Sequence, residues 1–168
     1  GRAVAVPLLL TPAARARVDV PRAVRGLRSG GARVRLAPTL GPDERLLDAC
    51  AELLAADGER PDRSTAVVLF AADPPDGAAL AAIADTIARS PRPGWGAWDV
   101  AAIDGVEAVV RRLSRRFRRI IAVSFMITAG TLRDGMLERC TRLGVRMVPG
   151  VLAETSALAD LVVARTLK

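Results

Sequence analysis

Short apolar runs alternate along this chain with longer stretches whose apolar positions recur every three or four residues. The runs predict strands over 3–10, 32–37, 65–72, 97–102, 118–126 and 144–148. The longer stretches predict helices over 20–29, 43–57, 77–89, 104–116, 131–142 and 154–167. AVAVPLLL, TAVVLFAA and RIIAVSFM carry almost no polar alternation, so they read as strands buried on both faces of a parallel sheet. Asp43 and Glu44 follow Pro42 where a helix dipole favours negative charge, and Gly58 and Gly144 stand where helices stop. Strict strand–helix alternation predicts an α/β fold with helices flanking parallel sheets.

The pattern also repeats. Residues 5–11 (AVPLLLT) echo 122–128 (AVSFMIT), and VRLAP at 34–38 echoes VRMVP at 145–149. In the helices that follow, Leu46 and Asp48 match Leu158 and Asp160. Order-preserving similarity of this kind predicts two halves built on one βαβα plan. The segment 65–117 has no counterpart ahead of the first copy, so the expected division is a partial first half at 1–62 and a complete second half at 63–168. The polar, proline-bearing stretch GERPDRS at 58–64 joins them. A half-sheet lacking strands would leave a bare edge, which predicts that a second chain or a missing N-terminal segment covers it.

Composition narrows the chemistry. Hydrophobic residues make up 51% of the 168 but aromatics only 3%, so the core must be aliphatic. The formal charge of +7 is carried by arginine, since Lys168 is the only lysine, and it favours acidic partners. No apolar run is long enough to cross a bilayer and no signal peptide is visible, so a cytoplasmic location without membrane contact is expected. Cys50 and Cys140 lie in helical patterns without a CxxC spacing and read as buried reduced thiols. The basic run RRLSRRFRRI at 111–120 reads as a solvated helix face; a nucleic-acid role is disfavoured because its single aromatic, Phe117, belongs to the apolar face and leaves no stacking surface among the arginines. Trp95 and Trp98 read as packing residues.

The chain contains no histidine. Ser-His-Asp and Cys-His catalysis are therefore excluded, and no GxGxxG, phosphate-binding loop or GxSxG elbow is present.

VPLLLTPAARARVDVP at 6–21 resembles the VPLLLS-x-G-x-H-V-x-x-D-x-P segment of the sirohydrochlorin chelatases, the CbiX/SirB-like class II chelatases. The likeness continues through APTLGPDERL at 37–46, VVLFAADPPD at 67–76 and VSFMITAGTLRDGML at 123–137. It implies two pseudo-repeated halves, here with the first incomplete, around a tetrapyrrole cleft. It also implies Fe, Co or Ni as a divalent metal substrate, with no certain resident cofactor, and an acidic tetrapyrrole or other anionic small molecule as ligand. The family's histidine positions fall on Arg15 and Arg133; no catalytic residue follows from the resemblance. Asp19, Asp76 and Asp134 match its acidic positions, and Asp73, Pro74 and Pro75 replace its Gly-Ser-Ser. Thr11 and Ser124 stand at strand ends where hydroxyls can reach a ligand or form turns. The aspartates equally suit helix caps, and the arginines equally suit a solvated surface.

A guanidinium has no lone pair to offer a metal or a proton. Two unit charges ~4 Å apart repel by about 4 kcal/mol at an effective dielectric of 20, and a dication doubles that. Arginine does suit carboxylates, through paired hydrogen bonds. The expected protein is thus a degenerate chelatase that binds its acidic ligand better than it metallates it, or a non-catalytic binding or assembly subunit.

Overall fold

The computed structural model describes residues 2–11, 16–72 and 77–167. The elements alternate as the pattern requires: β1 (Arg2–Ala5), α1 (Ala16–Ser29), β2 (Arg33–Leu36), α2 (Arg45–Ala56), β3 (Thr65–Phe70), α3 (Ala78–Arg89), β4 (Ala97–Ala101), α4 (Val106–Ser114), β5 (Arg119–Ser124), α5 (Thr131–Arg142), β6 (Arg146–Met147) and α6 (Ser156–Thr166). A 3₁₀ turn, Leu152–Glu154, precedes α6. All strand pairs are parallel, β1 with β2 in one sheet and β4-β3-β5-β6 in the other.

The four-stranded sheet has two buried faces because side chains alternate along a strand. Val67, Leu69, Ile121 and Val123 point into a core shared with Leu46, Leu47, Leu53 and Leu54 of α2 and Leu158 and Leu161 of α6. Ala66, Val68, Phe70 and Ala122 point the other way, onto Val106, Val110 and Leu113 of α4 and Met136 and Cys140 of α5. Every residue of β3 is buried. Helices α2 and α5 end on left-handed glycines, Gly58 (φ 80°) and Gly144 (φ 66°). The Glu59 amide donates to Leu54 O at 2.9 Å and the Val145 amide to Cys140 O at 2.9 Å, closing the last turns as such caps do.

Three expectations need correction. AVAVPLLL is not buried on both faces, for Val4 is 40% and Leu8 56% exposed. β1 has one strand neighbour and stops at Ala5, and Pro7, with no amide hydrogen, lies in the extended segment beyond it. Helix α1 begins at Ala16, four residues before the expected start, with Pro21 inside it at the loss of one intrahelical bond. Asp43 and Glu44 precede α2 instead of opening it, and Asp43 Oδ1 accepts from the Arg45 amide at 3.0 Å.

The two copies of the repeat carry the same ladder. Val4 and Ala5 pair with Arg35 and Leu36, as Ile121 and Ala122 pair with Arg146 and Met147. The Ala37 amide donates to Ala5 O at 2.9 Å, and the Val148 amide to Ala122 O at 2.9 Å. The Gly41 amide donates to Leu9 O and the Leu152 amide to Met126 O, each at 2.9 Å.

Helices α2 and α6, one from each copy, pack antiparallel. Glu52 accepts from the Ser156 and Ala157 amides at 2.7 and 2.9 Å, capping the N-terminus of α6. At the other end Arg165 reaches back to the segment before α2, donating to Thr39 O at 2.7 Å, Leu40 O at 2.9 Å and Asp43 Oδ2 at 2.9 Å. The 58–64 joint is pinned by charge. Glu59, 8% exposed, accepts two bonds from Arg119 at 2.8 and 2.6 Å and one from Arg146 at 2.6 Å.

Within the same joint Asp62 accepts from the Ser64 amide and hydroxyl and from Thr65 Oγ1, at 2.9, 2.7 and 2.8 Å. The bonds from Ser64, then that from Thr65, lower its pKa to about 2. Its folded value lies below its unfolded one, so its contribution is present above about pH 4 and lost as pH falls toward 2. Asp62→Ala should therefore lower the melting temperature at neutral pH, and the gap from the parent should close in thermal melts taken between pH 4 and 2.

Candidate functional site

In open α/β sheets ligands bind beyond the carboxyl ends of the strands. Here those ends converge on a cavity of about 260 Å³ lined by Leu8, Leu9, Leu10 and Thr11 after β1, Ala71 and Ala72 after β3, and Phe125, Met126 and Ile127 after β5. The walls come from both copies of the repeat. They are apolar except for the Thr11 hydroxyl, so they suit the edge of a flat apolar ring. The paired bonds Gly41 to Leu9 and Leu152 to Met126 hold the two facing walls in the same way.

A second hollow of about 260 Å³ shares Met126 and Ile127 with this cleft and continues through Thr128, Ala129, Gly130, Thr131, Leu132 and Arg133. Arg133 is half-buried there, and its Nε donates a long 3.4 Å bond to Gly150 O. A positive charge thus sits beside the apolar cleft, where it can pair with an anionic group.

A larger hollow, about 700 Å³, opens on the β1–β2 sheet between Ala3, Val4, Arg28 and Ala32 to Arg35. It lies away from the strand ends on which the two halves converge. We place the site in the smaller cleft on that ground.

The residues expected from sequence fare differently. Thr11 lines the cleft and Arg133 its extension. Ser124 lies beneath the surface, 0% exposed, with its hydroxyl unpartnered among the described residues. Asp19 and Asp134 occupy the first turns of α1 and α5 and are exposed. Arg15 and Asp76 lie outside the described residues. Sequence reasoning passed over Thr128, which the repeat places opposite Thr11 and which lines the hollow holding Arg133. It also passed over Arg165, whose lone arginine signal is lost in an arginine-rich chain.

Both thiols are buried. Burial alone pushes Cys140 up to about 12, and burial likewise raises Cys50 against a weaker opposing pull from Arg92. Neither is a thiolate at neutral pH. Among the described residues no three Cys, Asp or Glu side chains gather as metal ligands, and no helix is long and apolar enough to cross a membrane.

Parallel sheets flanked by helices, with an apolar cleft at the strand ends and Arg133 beside it, make up an α/β fold built on a repeated plan. Residues 1–57 match the CbiX family. No curated protein sequence matches the chain. Among solved structures, SirB from Bacillus subtilis with Fe³⁺ aligns with a TM-score of 0.76 at 16% identity, over 99% of this chain and 70% of that one. The sirohydrochlorin chelatase SirB from Bacillus subtilis subspecies spizizenii, in complex with cobalt, aligns at 0.68 and 17% identity, over 98% and 67%. A multi-domain Deinococcus radiodurans protein with structural similarity to chelatases aligns at 0.69 and 19%, over 98% of this chain but 40% of its own. The chain therefore shares the fold of the two SirB structures and matches the CbiX family over residues 1–57.

Proposed function

We propose that this protein is a degenerate sirohydrochlorin chelatase, which holds an acidic tetrapyrrole in the cleft and inserts metal poorly. The observation that carries this reading is the pairing of an apolar cleft at the strand ends with arginine in place of histidine at its edge. Insertion exchanges two pyrrole protons for a divalent metal such as Fe, Co or Ni, so it needs a group to deliver the metal and a base to take the protons. Arg133 can do neither at neutral pH, and none of the described cleft residues is a base. Arg133 can hold a ring carboxylate, while Leu8, Leu9, Leu10, Met126 and Ile127 cover the edge of the macrocycle and exclude water from it.

Sirohydrochlorin titrated against the protein should bind, and its absorbance in the presence of Co²⁺ should change no faster than in a protein-free control. Binding should weaken by roughly threefold or more as salt rises from about 0.05 to about 0.5 M, because an exposed charge pair is screened. Arg133→Gln should weaken binding by about threefold to tenfold, the worth of one exposed charge-assisted pair. Rapid cobalt insertion by the unaltered protein would overturn the degenerate reading, and unchanged affinity in the glutamine variant would remove Arg133 from the site.

A further inference from the structure

At about 260 Å³ the cleft encloses the edge of a macrocycle and no more, since pockets that bury even drug-sized molecules run to roughly 300–1,000 Å³. A ring seated past its edge needs one wall to give way, and the two walls are not held equally. Behind the 126–127 wall the Leu152 amide donates to Met126 O at 2.9 Å and the Ala153 amide to Ile127 O at 3.1 Å. Behind the 8–11 wall the Gly41 amide donates to Leu9 O at 2.9 Å, and there the series stops. The repeat puts Pro42 opposite Ala153, and proline has no amide hydrogen to give Leu10 O. The post behind this first wall is itself firm. Arg165 grips Thr39 O, Leu40 O and Asp43, and the Thr39 hydroxyl donates to Gly41 O at 2.8 Å. The wall starts at a three-residue turn, the Leu9 amide donating to Pro7 O at 2.8 Å, which supplies a bend to pivot on.

We propose that residues 8–11 are the opening side of the cleft, latched by the bond from the Gly41 amide to Leu9 O, and that they swing out to admit a tetrapyrrole while the 126–127 wall stays in place. Admission of a tetrapyrrole rests on the function proposed above; the inequality of the walls does not. Swinging the first wall breaks one backbone bond to its post and swinging the second breaks two, so the cleft opens from the first side. Gly41 is what lets the latch close. With no Cβ it leaves room for the Leu10 carbonyl oxygen, which would stand 1.8 Å from one. The open form should hold roughly 0.1–1% of the free protein, the lower part of the range for a minor state.

Hydrogen exchange on the free 168-residue protein tests the latch without any ligand. Gly41 and Leu152 are both buried donors, so their amides compare directly once intrinsic rates are divided out. The Gly41 amide should be protected about 100- to 1,000-fold, and the Leu152 amide at least about fivefold more, the worth of one further bond. Thr39→Val removes the hydroxyl bond to Gly41 O and leaves the cleft lining and the core as they are. It should cut the protection of Gly41 by about threefold or more and leave that of Leu152 unchanged. In stopped-flow mixing with sirohydrochlorin the variant should associate and dissociate faster by that same factor, with affinity held within about twofold, because the open form lies on the route in and out. A merely structural loss would lower affinity without speeding association. Gly41 protected as strongly as Leu152, or Gly41 exchange indifferent to Thr39→Val, would overturn the latch. Faster exchange at Gly41 with unchanged or slower association would overturn its place at the entrance. Absence of sirohydrochlorin binding would remove the proposed function and with it the entrance for a tetrapyrrole, and the exchange of Gly41 against Leu152 would still decide the latch.

Discussion

Gly41→Ala should be among the most damaging single substitutions in this protein. A Cβ on Gly41 would stand 1.8 Å from the Leu10 carbonyl oxygen and 2.5 Å from its carbonyl carbon. Both are backbone atoms, so no side-chain rotation relieves the clash, and the 8–11 segment must move. That segment forms one wall of the cleft, and its place is set by the bond from the Gly41 amide to Leu9 O. We expect a loss of at least about 3 kcal/mol, at the upper end of overpacking costs. At 2–4 °C per kcal/mol for chains of this size, that is a drop of roughly 6–12 °C in the melting temperature. Sirohydrochlorin binding should fall with it, even at temperatures where the variant stays folded. Gly130→Ala is the matched control: Gly130 is extended, with nothing within 4 Å of its would-be Cβ, so its melting temperature should stay close to the parent's. A Gly41→Ala protein that melts within about 2 °C of the parent would show that the 8–11 wall is soft.

The contrast between these two glycines marks what a sequence can show. Each of the six strands and six helices overlaps the span that hydrophobic periodicity gives it, and α5 matches its expected span of 131–142, while β1, α1 and α2 differ at their ends. Periodicity reports which face of an element is apolar, and for β3 that is the whole answer, since both its faces are covered. For β1 it is half the answer. The same continuous apolar pattern is read as buried whether or not a neighbour is present, and Val4 and Leu8 show that one is lacking among the described residues. Register was legible through the repeat: the echo of 5–11 in 122–128 and of 34–38 in 145–149 anticipates the pairing of Ala5 with Leu36 and of Ala122 with Met147. The start of α1 was not legible, because Pro21 counts as a boundary in any propensity reading and tertiary packing of Val24 beneath it overrides that cost.

At the site the limits are different in kind. Thr11 could be singled out from its place at a strand end and Arg133 from the resemblance, and the two line adjoining hollows. Ser124 could not be judged in advance. Whether a strand-end hydroxyl faces a ligand or a core depends on the covering helix, and here it is fully enclosed. Arg165 illustrates the opposite error. Nothing distinguishes it in the sequence from its many neighbours of the same type, yet burial makes it the least exposed of the ion-paired arginines, with 9% of its side chain accessible.

That burial makes Arg165→Met the second substitution with a large expected effect. The guanidinium satisfies the carbonyls of Thr39 and Leu40 and one oxygen of Asp43, whose side chain is 14% exposed. Methionine fills the volume but leaves two carbonyls without a donor and a partly buried carboxylate with Arg45 as its remaining ion-pair partner. Two orphaned carbonyls at about 1–3 kcal/mol each, together with the weakened ion pair of Asp43, put the loss at about 3 kcal/mol or more. The effect should reach the cleft as well, since the 39–43 segment that Arg165 holds is the one whose Gly41 amide fixes Leu9. The pH dependence separates the charge from the packing. Burial pushes the Asp43 carboxyl up, but the bonds and charge of Arg45, with the charge of Arg165, outweigh it and leave the pKa below the ordinary carboxylate range. The folded value therefore lies under the unfolded one, so this stabilisation is present above about pH 4 and fades as pH falls below it. Chemical denaturation of parent and variant should show the largest difference at neutral pH and a smaller one at pH 3. Asp43→Asn should cost less than Arg165→Met, because an amide oxygen can still accept from Arg165 while the cationic group keeps both carbonyl partners. A variant Arg165→Met with the parent's stability at pH 7 would show that the clamp contributes little, and a difference that stays constant down to pH 3 would assign its worth to the two carbonyl bonds and packing, not to the charge of Asp43.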